Sequence, residues 1–152
     1  MRKAIVAAAL LALVIPATLA AAAEFQIKEI RAYLFYSTTG ILSENIVGSK
    51  KTFYNTVIGE GEAGGPASNV VIDLVLVGGG GPTQTATLKV AYKTQGRDAT
   101  LTRSFDNSTF NEGEVKHESV LIENATCWPV TIEARVGKSP AKTATLKFGC
   151  GE

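Results

Sequence analysis

Four acidic residues have the type and spacing that could bind a cation. Glu60 and Glu62 form one Glu-Gly-Glu motif among residues that favour turns. Glu112 and Glu114 form a second copy. Clustered carboxylate and backbone oxygens are the ligands that Ca²⁺ prefers, but no segment matches the twelve-residue aspartate-rich loop that binds it. Solvated loop charge is therefore the leading interpretation, and a Ca²⁺ site is the alternative.

Catalysis would require groups that the sequence does not offer in a typical pattern. The same carboxylates could act as a glycosidase pair, but one acid would then need a raised pKa inside a cleft, and the chain is small for a cleft. His117 is the single histidine, and it lies in a strand-like pattern without a nucleophile elbow, which disfavours a Ser-His-Asp triad. We therefore expect a protein that is not an enzyme and has no cofactor. A small carboxylate-dependent hydrolase is the catalytic alternative.

The two cysteines, Cys127 and Cys150, predict a structural disulfide. They lack the Cys-x-x-Cys spacing of redox and metal motifs, and one histidine cannot complete a zinc site with them. In an oxidising compartment the disulfide is the expected state. Closing this loop would stabilise the fold by about 3 kcal/mol on the chain-entropy model.

The first residues predict an oxidising destination. Arg2 and Lys3 precede an apolar run at 4–15 and a stretch of small residues at 17–23, which is the order of a secretory signal peptide. The run is shorter than the roughly 20 apolar residues that span a bilayer. We expect cleavage after Ala23, with Ala20 and Ala22 as rival sites. Residues 24–152 would then reach the periplasm or the extracellular space by the general secretory route, without a stable membrane anchor.

The charge of the processed chain disfavours nucleic acid as a partner. The whole sequence holds 15 Lys and Arg against 14 Asp and Glu, so losing Arg2 and Lys3 leaves 13 against 14, a net charge of −1. The basic residues are not clustered beyond the pair at 50–51, whereas nucleic-acid binding depends on clustered Lys and Arg. The length of 24–152 suits a single domain with its own core.

The pattern of the processed chain predicts an all-β fold. Short runs rich in β-branched and aromatic residues alternate with turn signals, and sustained helical periodicity is absent from the sequence. About eight strands are predicted, at 25–36, 52–58, 70–77, 85–90, 100–105, 114–122, 130–136 and 143–148. This pattern predicts an antiparallel, immunoglobulin-like β-sandwich, a likeness of architecture that implies no function.

Two hairpins are predicted within this sandwich. The first joins 70–77 to 85–90 through the glycine run at 78–82, and the second joins 130–136 to 143–148. A turn at Lys138 and Ser139 would place Cys127 opposite Cys150, but it would put the apolar residues of the two strands on opposite faces. Either a bulge near Trp128 repairs the register, or the two runs lie in facing sheets.

Repeated motifs raise the question of an internal duplication. Thr-Ala-Thr-Leu-Lys occurs at 85–89 and again at 143–147, and the Glu-Gly-Glu motif also occurs twice. A duplicated half-domain would explain both repeats, but turn-rich β-proteins draw on few residue types, so chance is the equal alternative. Asn107 and Asn124 begin glycosylation sequons, which matter only if the host glycosylates exported proteins.

Three aromatic residues are the candidates for a contact surface. Tyr33 and Phe35 alternate away from the predicted core face of the first strand. Trp128 either packs on the disulfide or lies exposed as an anchor, and burial is the commoner fate of a large aromatic. We expect a binding or adhesion module for a protein or a glycan. A structural subunit that pairs through an edge strand is the alternative.

Overall fold

The computed structural model describes residues 24–54, 69–125 and 127–149. The predicted signal peptide, Glu60, Glu62 and Cys150 lie outside these ranges. The described residues form strands, turns and loops without a helix. Accordingly, this part of the chain contains no helix with the length and apolarity to cross a membrane.

Two four-stranded antiparallel sheets form the body of the protein. Sheet 1 has the order β2-β1-β4-β7, sheet 2 has the order β6-β5-β8-β9, and β3 pairs in parallel with β10. The strands are β1 Gln26–Tyr36, β2 Ile41–Leu42, β3 Phe53–Tyr54, β4 Asn69–Val77, β5 Thr85–Thr94, β6 Arg97–Asp106, β7 Val115–Ile122, β8 Val130–Val136, β9 Lys142–Leu146 and β10 Phe148–Gly149. The predicted antiparallel sandwich is thus confirmed in its architecture.

The core lies between the two sheets, and alternate side chains of β1, β5 and β8 are buried in it. Ile72 and Leu74 of β4 and Leu88 and Ile132 of sheet 2 have no exposed surface. Burial of one such side chain contributes about 1.5–3 kcal/mol. The predicted inward face of the first strand is confirmed, because its members are all buried, namely Ile30, Ala32, Leu34 and Tyr36.

The predicted first hairpin is wrong, because its two strands belong to different sheets. β4 pairs with β1 and β7, whereas β5 pairs with β6 and β8. The glycine run crosses from one sheet to the other, and Gly78 bonds through its backbone to Gly113 and Glu114. A Cβ on Gly78 would lie 2.1 Å from the carbonyl oxygen of Asn111, so glycine here serves close packing rather than a hairpin turn. From Ile72 to Leu76, β4 is buried on both of its faces.

The second hairpin is confirmed, but its register differs from the predicted one. Val130 pairs with Leu146 and Ile132 with Ala144, which puts the apolar side chains of both strands on one face. The turn is one residue longer than predicted and begins at Gly137, which has a φ of +52°. Neither a bulge near Trp128 nor a facing-sheet arrangement is needed.

β5 forms a hairpin with β6, and Gln95 and Gly96 make the turn between the two strands. Their φ values of +50° and +74° are those of a two-residue type I′ turn, which matches the twist of antiparallel strands. The two copies of Thr-Ala-Thr-Leu-Lys have different strand partners, since β5 pairs with β6 and β8 whereas β9 pairs with β8 alone. They form β5 and β9, which flank β8 in one sheet. The first Glu-Gly-Glu motif lies outside the described residues, so the duplication stays a prediction.

Candidate functional site

An apolar band crosses the outward face of sheet 1. We define it as Leu42, Phe35, Tyr33, Val71 and Leu121. The register pairs Phe35 with Leu42, Tyr33 with Val71, and Val71 with Leu121, and residues paired across strands point to the same face. Leu42 is 47% exposed and Leu121 is 44% exposed. The band therefore runs over all four strands of the sheet.

A polar centre adjoins the band on the same face. It consists of Asp73, His117 and Ser119. Asp73 lies on the central strand β4 and is only 6% exposed. Nδ1 of His117 donates to Oδ2 of Asp73 at 2.8 Å, and the Ser119 hydroxyl donates to Oδ1 at 3.1 Å. A nearly buried carboxylate is thus satisfied by two exposed side chains, which it holds in place.

An ion pair on β1 lies beside the polar centre. Nε of Arg31 donates to Oε2 of Glu29 at 2.8 Å, and the register places Arg31 next to Asp73. The hydrogen bond from Arg31 lowers the pKa of Glu29. The hydrogen bond to Glu29, followed by one to Tyr33, raises the pKa of Arg31. The guanidinium therefore connects the charged residues to the aromatic part of the band.

The polar centre contains the three residue types of a catalytic triad, but not their arrangement. A triad needs the serine to donate to the histidine, whereas Ser119 donates to Asp73. All three residues also lie on the outward side of paired strands rather than in a cleft. The arrangement orients His117 and Ser119 without forming a nucleophile and base pair.

The sequence placed His117 correctly on a surface strand but did not link it to Asp73. The two residues are 44 positions apart, and only the pairing of β4 with β7 brings them together. One feature of the sequence could have indicated that Asp73 has hydrogen-bond partners on a neighbouring strand. Asp73 is the single charged residue in an otherwise apolar run, and a carboxylate inside such a strand requires hydrogen-bond partners.

The second Glu-Gly-Glu motif lies in the loop before β7. Oε2 of Glu114 accepts hydrogen bonds from the backbone N–H and the side-chain amide of Asn111, at 2.8 and 3.1 Å. The backbone hydrogen bond is the main cause that lowers the pKa of Glu114. Glu112 is exposed. Across 24–54, 69–125 and 127–149, no three His, Cys, Asp or Glu residues are grouped so that they could hold a metal ion. Because Glu60 and Glu62 lie outside these ranges, the Ca²⁺ site stays a prediction.

The expected burial of Trp128 is wrong. Trp128 is 47% exposed, and Nζ of Lys93 lies 4.4 Å from the centre of its ring. Since Lys93 belongs to β5, this contact places Trp128 beside sheet 2, whereas Tyr33 and Phe35 lie on sheet 1. The three predicted contact residues therefore belong to two surfaces. Cys127 is not a free thiol and has a φ of +52°.

The outward side of sheet 2 is rich in threonine, and we call it the threonine face. One row across the sheet contains Thr100, Ala91, Thr131 and Thr145. The next row contains Thr102, Lys89, Glu133 and Thr143. Both copies of Thr-Ala-Thr-Leu-Lys contribute to this face, because their threonines point outward while their leucines are buried in the core. Both copies therefore have the same alternation of outward threonines and inward leucine.

No protein-family model matches the chain, and a comparison with curated proteins found no match. The proposals that follow accordingly depend on the geometry of the structure itself.

Proposed function

We propose that this protein is an exported, non-enzymatic binding module that docks a protein partner on the apolar band. One observation carries the proposal. Leu42 and Leu121 are exposed large hydrophobic side chains at the two ends of the band, on β2 and β7, and the half-buried Phe35, Tyr33 and Val71 lie between them on the same face. Contiguous exposed apolar surface with polar residues around it is typical of protein interaction sites.

The composition of the face supports a protein rather than a small ligand. Tyr and Arg are the types most enriched among residues that dominate binding energy, and Tyr33 and Arg31 lie next to each other on β1. The hydrogen bonds that hold Arg31, Asp73 and His117 reduce the ordering that a partner would have to impose. A flat, preorganised surface of this kind suits an extended protein interface.

The topology supports an immunoglobulin-like fold for the module. The chain passes from β4 in sheet 1 to β5 and β6 in sheet 2, returns to β7, and crosses again to β8 and β9. Crossings between two antiparallel sheets also occur in the Greek-key connections of immunoglobulin-like sandwiches, which supports this assignment. Cys127 comes three residues before β8, and Cys150, which lies outside the described residues, comes directly after β10 in the sequence. The predicted disulfide between them would form in an oxidising destination.

The binding role is tested by hydrogen exchange on the processed protein. Cross-linking in its native exported fraction first identifies the partner, and exchange is then measured with and without it. Protection is expected in β1, β4 and β7. Tyr33→Ala with Phe35→Ala should weaken binding by more than about fivefold, the minimum for such anchor residues. Thr102→Ala with Thr143→Ala, on the opposite face, is the matched control and should leave binding unchanged.

Assembly through an edge strand is the second candidate. In the described chain β7 pairs only with β4, and its other side is an open edge that carries the exposed Val115 and Leu121. An open edge can accept a strand from another molecule. Light scattering of the processed protein separates the two roles, because a stable oligomer whose contacts protect β7 but not β1 would favour assembly over docking on the band.

A further inference from the structure

We infer that β7 pairs with β7 of a second copy of this chain, antiparallel and about a two-fold axis at Glu118. The inference rests on the second candidate role above, assembly through an edge strand, and it specifies the partner and the register. Three observations support it: the backbone groups on the open side of β7, the symmetric order of its outward side chains, and the position of its exposed apolar residues beside the apolar band.

The open side of β7 presents a row of backbone hydrogen-bond groups. The register of β4 with β7 has no shift along its length, and directly beyond it Gly78 donates its N–H to the carbonyl of Glu114. Successive residues of an antiparallel strand direct their backbone groups to alternate sides. Within the described chain, the N–H and C=O groups that point away from β4 are therefore those of Val115, His117, Ser119 and Leu121.

The outward side chains of β7 have the same apolar and polar order in both directions from Glu118. Val115 and Leu121 lie three residues before and after Glu118, and they are 48% and 44% exposed. His117 and Ser119 lie directly before and after it and are also exposed. An antiparallel pair centred on Glu118 places Val115 opposite Leu121 of the second copy. The same pair places His117 opposite Ser119 of the second copy, and the two-fold axis repeats both contacts.

The neighbouring registers lose the apolar contact. If the axis moves to the residue before Glu118, Leu121 faces Gly113 of the second copy. If it moves to the residue after Glu118, Val115 faces Glu123 of the second copy. An axis between two residues would place outward side chains opposite inward ones, which reverses the buried face of the sheet. Because cross-strand apolar pairs stabilise a sheet, the axis at Glu118 is the most favourable of these registers.

The apolar band supports a second copy as the occupant of this edge. Leu121 is the last residue of the band, and in the pair it lies beside Val115 of the second copy. The register neighbour of Val115 on β4 is Val77, so the apolar surface continues onto the second copy. The outward faces of the two copies would then form one continuous sheet surface.

Charged side chains make the edge strand of sheet 2 less suited to pairing than β7. Charges occur from one end of β6 to the other, namely at Arg97, Asp98, Arg103 and Asp106. Charges along an edge disfavour the addition of a strand. On β7 the ammonium of Lys116 bonds to the carbonyl of Thr109 and lies over the ring of Phe110, so it is directed to the preceding loop. Glu118 would face its own copy across the axis, and this contact between like charges limits the affinity.

Sedimentation velocity of the processed protein at increasing concentration tests the inference, and we expect reversible dimerisation. Val115→Lys lies outside the band and should weaken the dimer at least about fivefold, because it places a charge opposite Leu121 of the second copy. Ile41→Lys is the matched control, since Ile41 is 53% exposed on the edge strand β2, and it should leave the dimer unchanged. A monomer at every concentration, or equal losses in both variants, would overturn the proposal.

Two substitutions of Glu118 locate the axis. Glu118→Gln removes the contact between like charges and should tighten the dimer by about two- to fivefold. Glu118→Cys should form a cross-linked dimer under mild oxidation, because a residue on the axis faces its own copy at disulfide distance. Lys116→Cys, two positions away on the same face, should cross-link far more slowly. Faster cross-linking of Lys116→Cys, or no tightening by Glu118→Gln, would contradict the assigned register.

Failure of the β7 pair can be distinguished from failure of docking on the band. Tyr33→Ala with Phe35→Ala should dimerise like the wild type. A monomeric wild type rejects the β7 pair and leaves docking intact, whereas a dimer whose partner binding survives those two substitutions rejects docking alone. A dimer that Val115→Lys does not weaken uses another surface, which keeps assembly as a role but overturns the β7 pair.

Discussion

The two sheets differ in the exposure of the outward side chains on their central strands, β4 and β5. In sheet 1 the outward residues Asp73 and Val75 of β4 are only 6% and 2% exposed. In sheet 2 the outward residues Lys89 and Ala91 of β5 are exposed. Both strands lie between two partners, so their position in the sheet does not explain the difference.

The side chains on the neighbouring strands explain it. In sheet 1, Glu29 and His117 are the register neighbours of Val75, and Arg31 is a neighbour of Asp73. These long side chains lie over the central strand. In sheet 2 the neighbours of Ala91 are Thr100 and Thr131, which are too short to cover it. Side-chain length on flanking strands thus makes one face a closed surface with a polar centre and the other an open array of hydroxyls.

Reduction of the predicted disulfide tests whether sheet 2 depends on a covalent restraint that sheet 1 does not need. We expect the free energy of unfolding to fall by about 3 kcal/mol when Cys127 and Cys150 are reduced. Urea unfolding with and without reductant measures this change. Hydrogen exchange should increase near Trp128 and remain low in β4. An unchanged unfolding midpoint, with no thiol released by the reductant, would show that the predicted bond is absent.

Removal of one outward carboxylate from each face sharpens the contrast. Asp73→Ala would leave His117 and Ser119 without their common acceptor and should lower the free energy of unfolding by about 1–3 kcal/mol. Glu133→Ala, at a half-buried outward position of β8, is the matched control and should change it by less than about 0.5 kcal/mol. Urea unfolding measures the free energy of unfolding of both variants and of the wild type. Equal losses would mean that the polar centre has no special role in stability.

The smallest expected effect is on the pH dependence of folding stability below pH 4.5, and it concerns Glu29. The pKa of Glu29 is lowered from its usual value of 4.5 by the hydrogen bond from Arg31. A carboxyl group whose pKa is lower in the folded state stabilises the fold above its unfolded pKa, and this contribution is lost as the pH falls through the folded value. Glu29→Gln and Arg31→Gln should both flatten the loss of stability below pH 4.5, as measured by thermal unfolding from pH 6 to about pH 3. A wild-type slope in both variants would contradict this assignment.

Local patterns in the sequence predicted the strands better than their partners. The alternation of Ile30, Ala32 and Leu34 gave the correct inward face, because side-chain direction in a strand has a period of two. The glycine run after β4 gave the wrong partner, since glycine marks a tight approach as well as a turn. Gly78 has that role against Asn111.

The candidate sites depended on contacts that local sequence does not contain. Tyr33 and Phe35 were predicted to face outward, and they do. The link between Asp73 and His117 needed the register of β4 with β7, which nothing near either residue specifies. The exposure of Trp128 depends on the left-handed backbone at Cys127 and on Lys93 of a different strand. The residue type of Trp128, taken alone, favoured its burial.

The parallel pairing of β3 with β10 affects how the protein matures. Phe53 donates its backbone N–H to the carbonyl of Lys147, and its ring lies 6.0 Å from that of Phe148. The segment around Phe53 therefore cannot reach its final pairing until residues far later in the chain have been synthesised. Molecules truncated before Phe148 would leave the ring of Phe53 without this partner, so we expect them to be more sensitive to proteases than the full chain.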